Sequence, residues 1–321
     1  MSNVRETRGT GGRGNCPAFA PTLPPVPTLH LPRVAHRGSG NRRRTLATFI
    51  IAVLLLVAVV AVGRLLATSN PFAAAPTTAP AALATDFTAK NLPPSLSHPF
   101  GTDWMGRDMF ARTLAGLATS VFVGLLAAGA SAALALILGT IAALGGRRAD
   151  AVITWLIDLM LGIPHIVLLI LISFAIGKGF WGVAIGVALT HWPNLARVIR
   201  AEILQCRESV FIAQARRFGA SPLRIVRDHV FPHVFPQFLV GLVLLFPHAI
   251  LHEAAITFLG FGLPPEQPAI GIILSESMTY LSAGYWWLAL FPGIALIATV
   301  LLFDRAGSNL RRLIDPYRSQ E

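Results

Sequence analysis

The sequence predicts an all-α polytopic membrane protein with about six transmembrane helices. Three observations carry that expectation. The 321-residue chain is 54% hydrophobic and 13% charged, with a mean hydropathy of +0.63, whereas an ordinary soluble domain is about 25% charged. Its apolar residues gather into runs of about 20 or more, long enough at 1.5 Å per residue to cross about 30 Å of hydrocarbon. Its arginines stand at the ends of those runs, so the net charge of +11 reads as orientation in a lipid bilayer and not as a nucleic-acid footprint.

Taken in order, residues 1–45 are rich in Gly, Pro and Arg and end in Arg42-Arg43-Arg44, the pattern of a disordered, basic cytoplasmic tail. Residues 46–66 form the first transmembrane helix. The run is too long, and lies too far along the chain, for the core of a cleaved signal peptide, although Ala73-Ala74-Ala75 could serve as a cleavage site. Residues 67–116 make an extracytoplasmic connector. Residues 117–304 hold five further spans, over about 117–144, 151–176, 180–199, 235–258 and 285–303. Residues 305–321 close the chain as a second basic cytoplasmic tail. Cys16 and Cys206 offer neither a disulfide framework nor a metal-site spacing.

Arginine placement tests this topology. With both termini in the cytoplasm, the inside segments are 1–45, 145–150, roughly 197–234 and 304–321, and they hold most of the basic residues. The segment Phe261–Tyr285 has no Lys or Arg, and the two lysines of the chain, Lys90 and Lys178, fall outside. Arg64, Arg107 and Arg112 are the exceptions.

The segment 207–233 is the longest charged interruption in the apolar second half, and the topology puts it in the cytoplasm. Its small residues Ala213, Ala215 and Gly219, its apolar Phe211, Phe218, Leu223 and Ile225, and its prolines Pro222 and Pro232 predict two short amphipathic helices. They would hinge at Gly219-Ala220-Ser221-Pro222 and present a shaped surface to a partner. A P-loop requires G-x-x-x-x-G-K-[ST], and Lys178 is followed by Gly179, so no such motif exists. If ATP drives this protein, another chain binds it, and no cofactor is expected on this one.

Ionisable groups inside a span cost about 2.5–3.5 kcal/mol at a helix centre, so each needs a reason. Asp158 is expected to pair or stay hydrated near the cytoplasmic face. His165 follows Pro164, which can kink the third span. His191-Trp192 lies in the fourth. In the fifth, His248 and His252 are four apart and share a helix face, where they could transiently hold one borderline metal ion, with Glu253 beside them.

Four stretches resemble one family. Phe100-Gly101-Thr102-Asp103…Gly106-Arg107-Asp108 is similar to FGTDxxGRD. Gly219-Ala220-Ser221 with Ile225…His229-Val230-Phe231-Pro232 resembles GAS and IxxHxLP. Phe258-Leu259-Gly260-Phe261-Gly262 is close to FLGLG, and Trp286-Trp287…Phe291-Pro292-Gly293 completes the set, with Leu310…Asp315-Pro316 in the tail. The chain resembles the permease subunits of bacterial ATP-binding-cassette importers of the dipeptide, oligopeptide and nickel group, the second of their two permeases.

The resemblance implies the type I importer permease architecture, a multi-pass location in the bacterial cytoplasmic membrane, and a substrate that is a peptide, nickel or a metal chelate. A histidine pair ahead of the FLGLG stretch, and a His-Trp like His191-Trp192, resemble the nickel branch. The implied partners are a second homologous permease, two ATPase subunits that carry the ATP, and an extracytoplasmic binding protein. The implied docking loop comprises Ala213, Gln214, Ala215, Gly219, Ala220, Ser221, Ile225 and Pro232, and the candidate substrate path comprises His165, His191, His248, His252 and Glu253. One departure stands out: Ala213-Gln214-Ala215 replaces the family's Glu-Ala-Ala, so its carboxylate is missing.

Two other classes fit these residues less well. An ion-coupled secondary transporter would explain intramembrane charge but leave the Gly219 loop and the FGTDxxGRD stretch without a purpose. A membrane metallohydrolase on His248, His252 and Glu253 would need H-E-x-x-H, but Ala249 takes the base position here.

Overall fold

The computed structural model describes residues 38–67 and 85–314. Residues 1–37 of the expected disordered tail 1–45, the segment 68–84 and residues 315–321 lie outside the described residues, as do Cys16, Ala73-Ala74-Ala75 and Asp315-Pro316; residues 38–45 of that tail are not disordered but form the start of the first helix. Among the described residues every regular element is a helix. These are α1 (Gly38–Ala67), α2 (Met109–Leu144), α3 (Gly146–Gly162), α4 (His165–Ile176), α5 (Phe180–Arg207), α6 (Val210–Arg217), α7 (Pro222–Ile225), α8 (Phe231–Phe258), α9 (Ile270–Leu281) and α10 (Trp287–Ile314). A π-helical turn, Val226–Val230, joins α7 to α8.

Helix α2 is the axis of the bundle. It buries a run of small residues, including Ala115, Ala118, Ala127, Ala128, Ala132, Ala135, Gly139 and Ala142. Between lipid-embedded helices no water is released by packing, so close backbone approach has to supply the attraction, and small residues permit it. A Cβ on Gly139 would stand 2.8 Å from the Ala196 carbonyl of α5. One on Gly124 would stand 2.6 Å from Ile250 Cγ1 of α8, and one on Gly63 of α1 would run into the Leu114 carbonyl.

Four helical stretches are long and apolar enough to cross a membrane: Arg43–Leu66, Met109–Leu144, Pro222–Phe258 and Trp287–Ile314. The expected third span, 151–176, is not one straight helix. It breaks at Gly162-Ile163-Pro164 into α3 and α4, bent by 99°, and counts as a fifth span only if the pair is taken together. Pro164 lacks an N–H and disfavours helical backbone at Ile163, whose ψ of 135° is extended. Alone, the 12 residues of α4 reach only about 18 Å, short of the hydrocarbon thickness. The expected fourth span lies on α5, which continues past residue 199 to Arg207 and is less apolar because His191, Asn194 and Arg197 fall within it.

Further boundaries differ from expectation, among them the end of α10, which runs to Ile314 and not to residue 303. Helix α2 starts at Met109 rather than near residue 117, because Asp108 caps it: Ala111 N–H donates to Asp108 Oδ1 at 2.8 Å. The helix that ends at Phe258 runs on from Pro222 and does not begin near residue 235. Pro232 would crowd the carbonyl of residue 228 in a regular helix, and the wider π turn just before it absorbs the misfit. Finally, the connector after Phe261 contains α9, which buries Ile270, Gly271, Ile272 and Ile273.

At one end of the bundle the first and fourth resemblance motifs pack on each other as a cap. Phe100 stacks on Phe291 with ring centroids 4.9 Å apart, and Trp104 lies over Tyr280 at 6.5 Å. Asp103 is buried and accepts hydrogen bonds from the backbone N–H of Met105 (2.8 Å) and of Arg107 (2.9 Å), and from Arg107 Nε (2.6 Å) and Arg112 Nη1 (3.1 Å). Arg112 Nη1 also reaches Glu276 Oε2 of α9 at 2.7 Å. Arg107 and Arg112 break the arginine rule because they are consumed by this buried network. Arg64 lies over the Phe122 ring at 4.8 Å.

At the opposite end, arginines of α5 tie neighbouring helices together. Arg200 grips Asp150 of α3 through two hydrogen bonds, 2.5 and 2.7 Å. Arg197 pairs with Asp158 at 2.5 Å on the exposed side, so Asp158 is paired. Arg207 Nη1 donates to the Ala143 carbonyl at 2.6 Å, placing a cation at the negative end of α2.

Candidate functional site

The segment 207–233 folds as a two-sided clip. Helix α6 ends in a Schellman motif: Gly219 N–H donates to Arg216 O and Ala220 N–H to Ala215 O, each at 3.0 Å. Gly219 takes φ +82°, the left-handed conformation that the motif needs. Ser221 then caps α7 by accepting from Arg224 N–H, with Pro222 in the first turn. On the inner side Ile212, Ile225 and Val230 are buried in a core with Ala142, Ile199, Ile203, Cys206 and Val234. On the outer side Phe218 is 89% exposed and Leu223 78% exposed, flanked by exposed Arg216, Arg217 and Arg224. Of the expected docking residues, Ala213, Gln214, Gly219, Ser221 and Pro232 are exposed, Ala215 and Ala220 are half-buried, and Ile225 is an anchor.

The five candidate path residues divide differently. His165 opens α4 immediately after Pro164, His191 stands two residues before Pro193 in α5, and His252 lies five residues after Pro247 in α8. The structure brings these three together, each with a ring nitrogen within 4.8 Å of the others. Their ring centroids are 4.5 to 4.8 Å apart. His191 Nδ1 is 2.9 Å from Val187 O, and His252 Nδ1 is 2.7 Å from His248 O. In each case Nδ1–H donates to the carbonyl four residues back, which leaves Nε2 with the lone pair. His191 Nε2 stands 3.3 Å from His252 Nδ1. His165 Nε2 is buried with no hydrogen-bond partner.

His248 and Glu253 are not in this group. The His248 ring is exposed, and only its carbonyl takes part. Glu253 follows His252 by one residue, about 100° around the helix. It is fully buried and accepts from Thr257 Oγ1 at 2.9 Å. Thr257 Oγ1 accepts in turn from Leu263 N–H at 3.3 Å, so this carboxylate braces the Phe258–Gly262 turn. That turn is a second Schellman motif, with Gly260 at φ +83°. Ser173 donates to Phe261 O at 3.0 Å, and Lys178 to Gly260 O at 3.2 Å. Glu276 is the residue that sequence reasoning missed; an acid in an arginine-free connector was its only signal.

Residues 135–316 match the family model described as the binding-protein-dependent transport system inner membrane component. The chain belongs to that family. The matched stretch runs from the last third of α2 past the end of α10 and includes both the clip and the histidine group. Among relatives, this permease is 40% identical over 229 residues to a Brucella abortus protein that bears the name of a peptide transport system permease, covering 71% of this chain and 77% of that one. It is 32% identical over 229 residues to the dipeptide transport system permease protein DppC of Bacillus subtilis, covering 71% and 72%. Among solved structures, it superimposes on a chain of the MetNI methionine ABC transporter in inward-facing conformations, with a TM-score of 0.54 at 18% identity, over 64% of this chain and 98% of that one. That likeness shows a shared fold. The permease is therefore a multi-pass membrane component of an ABC importer, and its part is transport and not catalysis.

Proposed function

We propose that the permease forms half of a peptide translocation path and takes its energy through the segment 207–233, docked on a separate ATP-hydrolysing subunit. The observation that carries the docking reading is the two-sided clip. Two large apolar side chains, Phe218 and Leu223, stand exposed beside arginines on a segment whose reverse side is locked into the core. Such a pair is stable in water only at a cost, which a partner groove relieves. Ala213 offers that groove no charge, so apolar fit and the arginines carry recognition. A push on the clip reaches α2, α5 and α8 directly, because Ile212 and Ile225 interlock with residues of those helices. ATP stays on the partner.

The rest of the reading follows from this anchor. The clip end and both termini lie in the cytoplasm, and the cap end meets a binding protein that delivers substrate. A second, homologous permease closes the path opposite the face that carries His165, His191, His248 and His252. Peptide is the substrate class that the names of the relatives support.

The test is the double substitution Phe218→Asp/Leu223→Asp in the assembled transporter. Uptake of a dipeptide should fall at least about tenfold, with substrate-stimulated ATP hydrolysis falling in parallel, since losing two apolar anchors at a docking site costs about 2 kcal/mol or more. Unchanged uptake at equal membrane abundance overturns the docking assignment.

A further inference from the structure

We propose that His165, His191 and His252 form a binding site for one borderline divalent transition-metal ion, of the Zn²⁺ class, that staples α4 to α5 and α8. Imidazole nitrogen suits such ions, and three protein ligands with one open position is a common zinc arrangement. In a tetrahedral site with nitrogens about 2.0–2.1 Å from the ion, the ligand atoms stand about 3.3 Å apart. The three nitrogens already lie within 4.8 Å of one another, so ring rotations complete the convergence without moving a helix. His191 is also oriented as metal ligands usually are, its Nδ1–H donating to the Val187 carbonyl and its Nε2 turned toward His252. His165 supplies the third observation, a buried Nε2 without a partner.

The position of the ligands gives the ion a consequence. His165 adjoins the break at Pro164, and α4 is the arm beyond that 99° bend, whereas α5 and α8 run unbroken past Pro193 and Pro247. An ion there ties the arm beyond the break to two continuous helices. Its occupancy therefore holds α4 in the orientation seen here. The inference is independent of the peptide reading, because it requires only this fold.

The experiment measures Zn²⁺ and Co²⁺ binding to the full chain, purified without a histidine tag and reconstituted in nanodiscs. Wild type should bind one ion, with Co²⁺ giving the visible absorption of a low-coordinate nitrogen site. His165→Gln and His252→Gln should each weaken binding by about 100-fold, and Zn²⁺ should raise the melting temperature of wild type but not of His165→Gln. His248→Gln should leave the affinity unchanged. His165→Gln keeps the site testable should His191→Gln, at the more buried position, fail to fold. Equal affinity in wild type and the His165→Gln/His252→Gln double variant overturns the proposal. So does loss of binding only with His248→Gln, which would place the ion on the α8 pair instead. Peptide uptake by the same variants reports on the transport reading separately.

Discussion

Gly219 has φ +82° and no atom within 4 Å of the place where a Cβ would stand, so its requirement is conformational and not steric. Any L-residue there carries a left-handed penalty of about 1–2 kcal/mol. Gly219→Ala should therefore reduce the docking-competent clip, and with it dipeptide uptake, by about 5- to 30-fold while membrane abundance is unchanged; uptake assays with an immunoblot control check this. At Arg112 the constraint is charge. It is buried between Asp103 and Glu276, and removing it leaves both acids to Arg107. Arg112→Ala should destabilise by about 1–3 kcal/mol, read as a lowered melting temperature in detergent. Glycine and histidine identities are plain in a sequence, but the need for φ > 0 at Gly219 could be inferred only because Ser221-Pro222 follows. The partners of Arg112 could not be inferred, because Glu276 arrives from 164 residues away and nothing local marks it.

The helices themselves show why apolar runs locate elements better than they bound them. Hydropathy placed α1, α2, α8 and α10, since about 20 apolar residues have few alternatives in lipid. It gave no sign that Asp108 would start α2 early, or that a π turn would carry α7 into α8. It also joined α3 to α4, because Pro164 shows that helical hydrogen bonding is interrupted without saying how far the axis turns. Helix α9 was missed because 12 residues are too few to register as a span. The contact between α2 and α5 is testable at this scale. A side chain at Gly139 would press on the Ala196 carbonyl and Ile199, whereas at Gly129 it would meet nothing within 4 Å. Gly139→Val should cost about 1–3 kcal/mol, and Gly129→Ala should be neutral or slightly stabilising; thermal melts of the two variants side by side decide.

Across the molecule, the cap and the clip lie at opposite ends of the same helices, and the proposed function requires that they move together. The link at the clip end is Ile212 and Ile225, buried among α2, α5 and α8. Ile212→Ala with Ile225→Ala should loosen this link by about 2–5 kcal/mol per residue. The transporter should then hydrolyse ATP with weakened dependence on substrate and import little dipeptide, a dissociation that paired ATPase and uptake assays would reveal. By itself the sequence determined that the chain is a helical membrane protein, where its long apolar helices lie, and that 207–233 is a charged segment between two of them. These are local properties, decided by run length, charge and turn chemistry. Only the tertiary structure decided that three single histidines form one group while His248 and Glu253 stand apart, and that the Asp103 motif and Glu276 close one cap. The physical reason is the same in both cases. The groups lie on helices that are distant in sequence, and their meeting depends on the axial bend at Pro164 and on how closely small residues let α2, α5 and α8 approach.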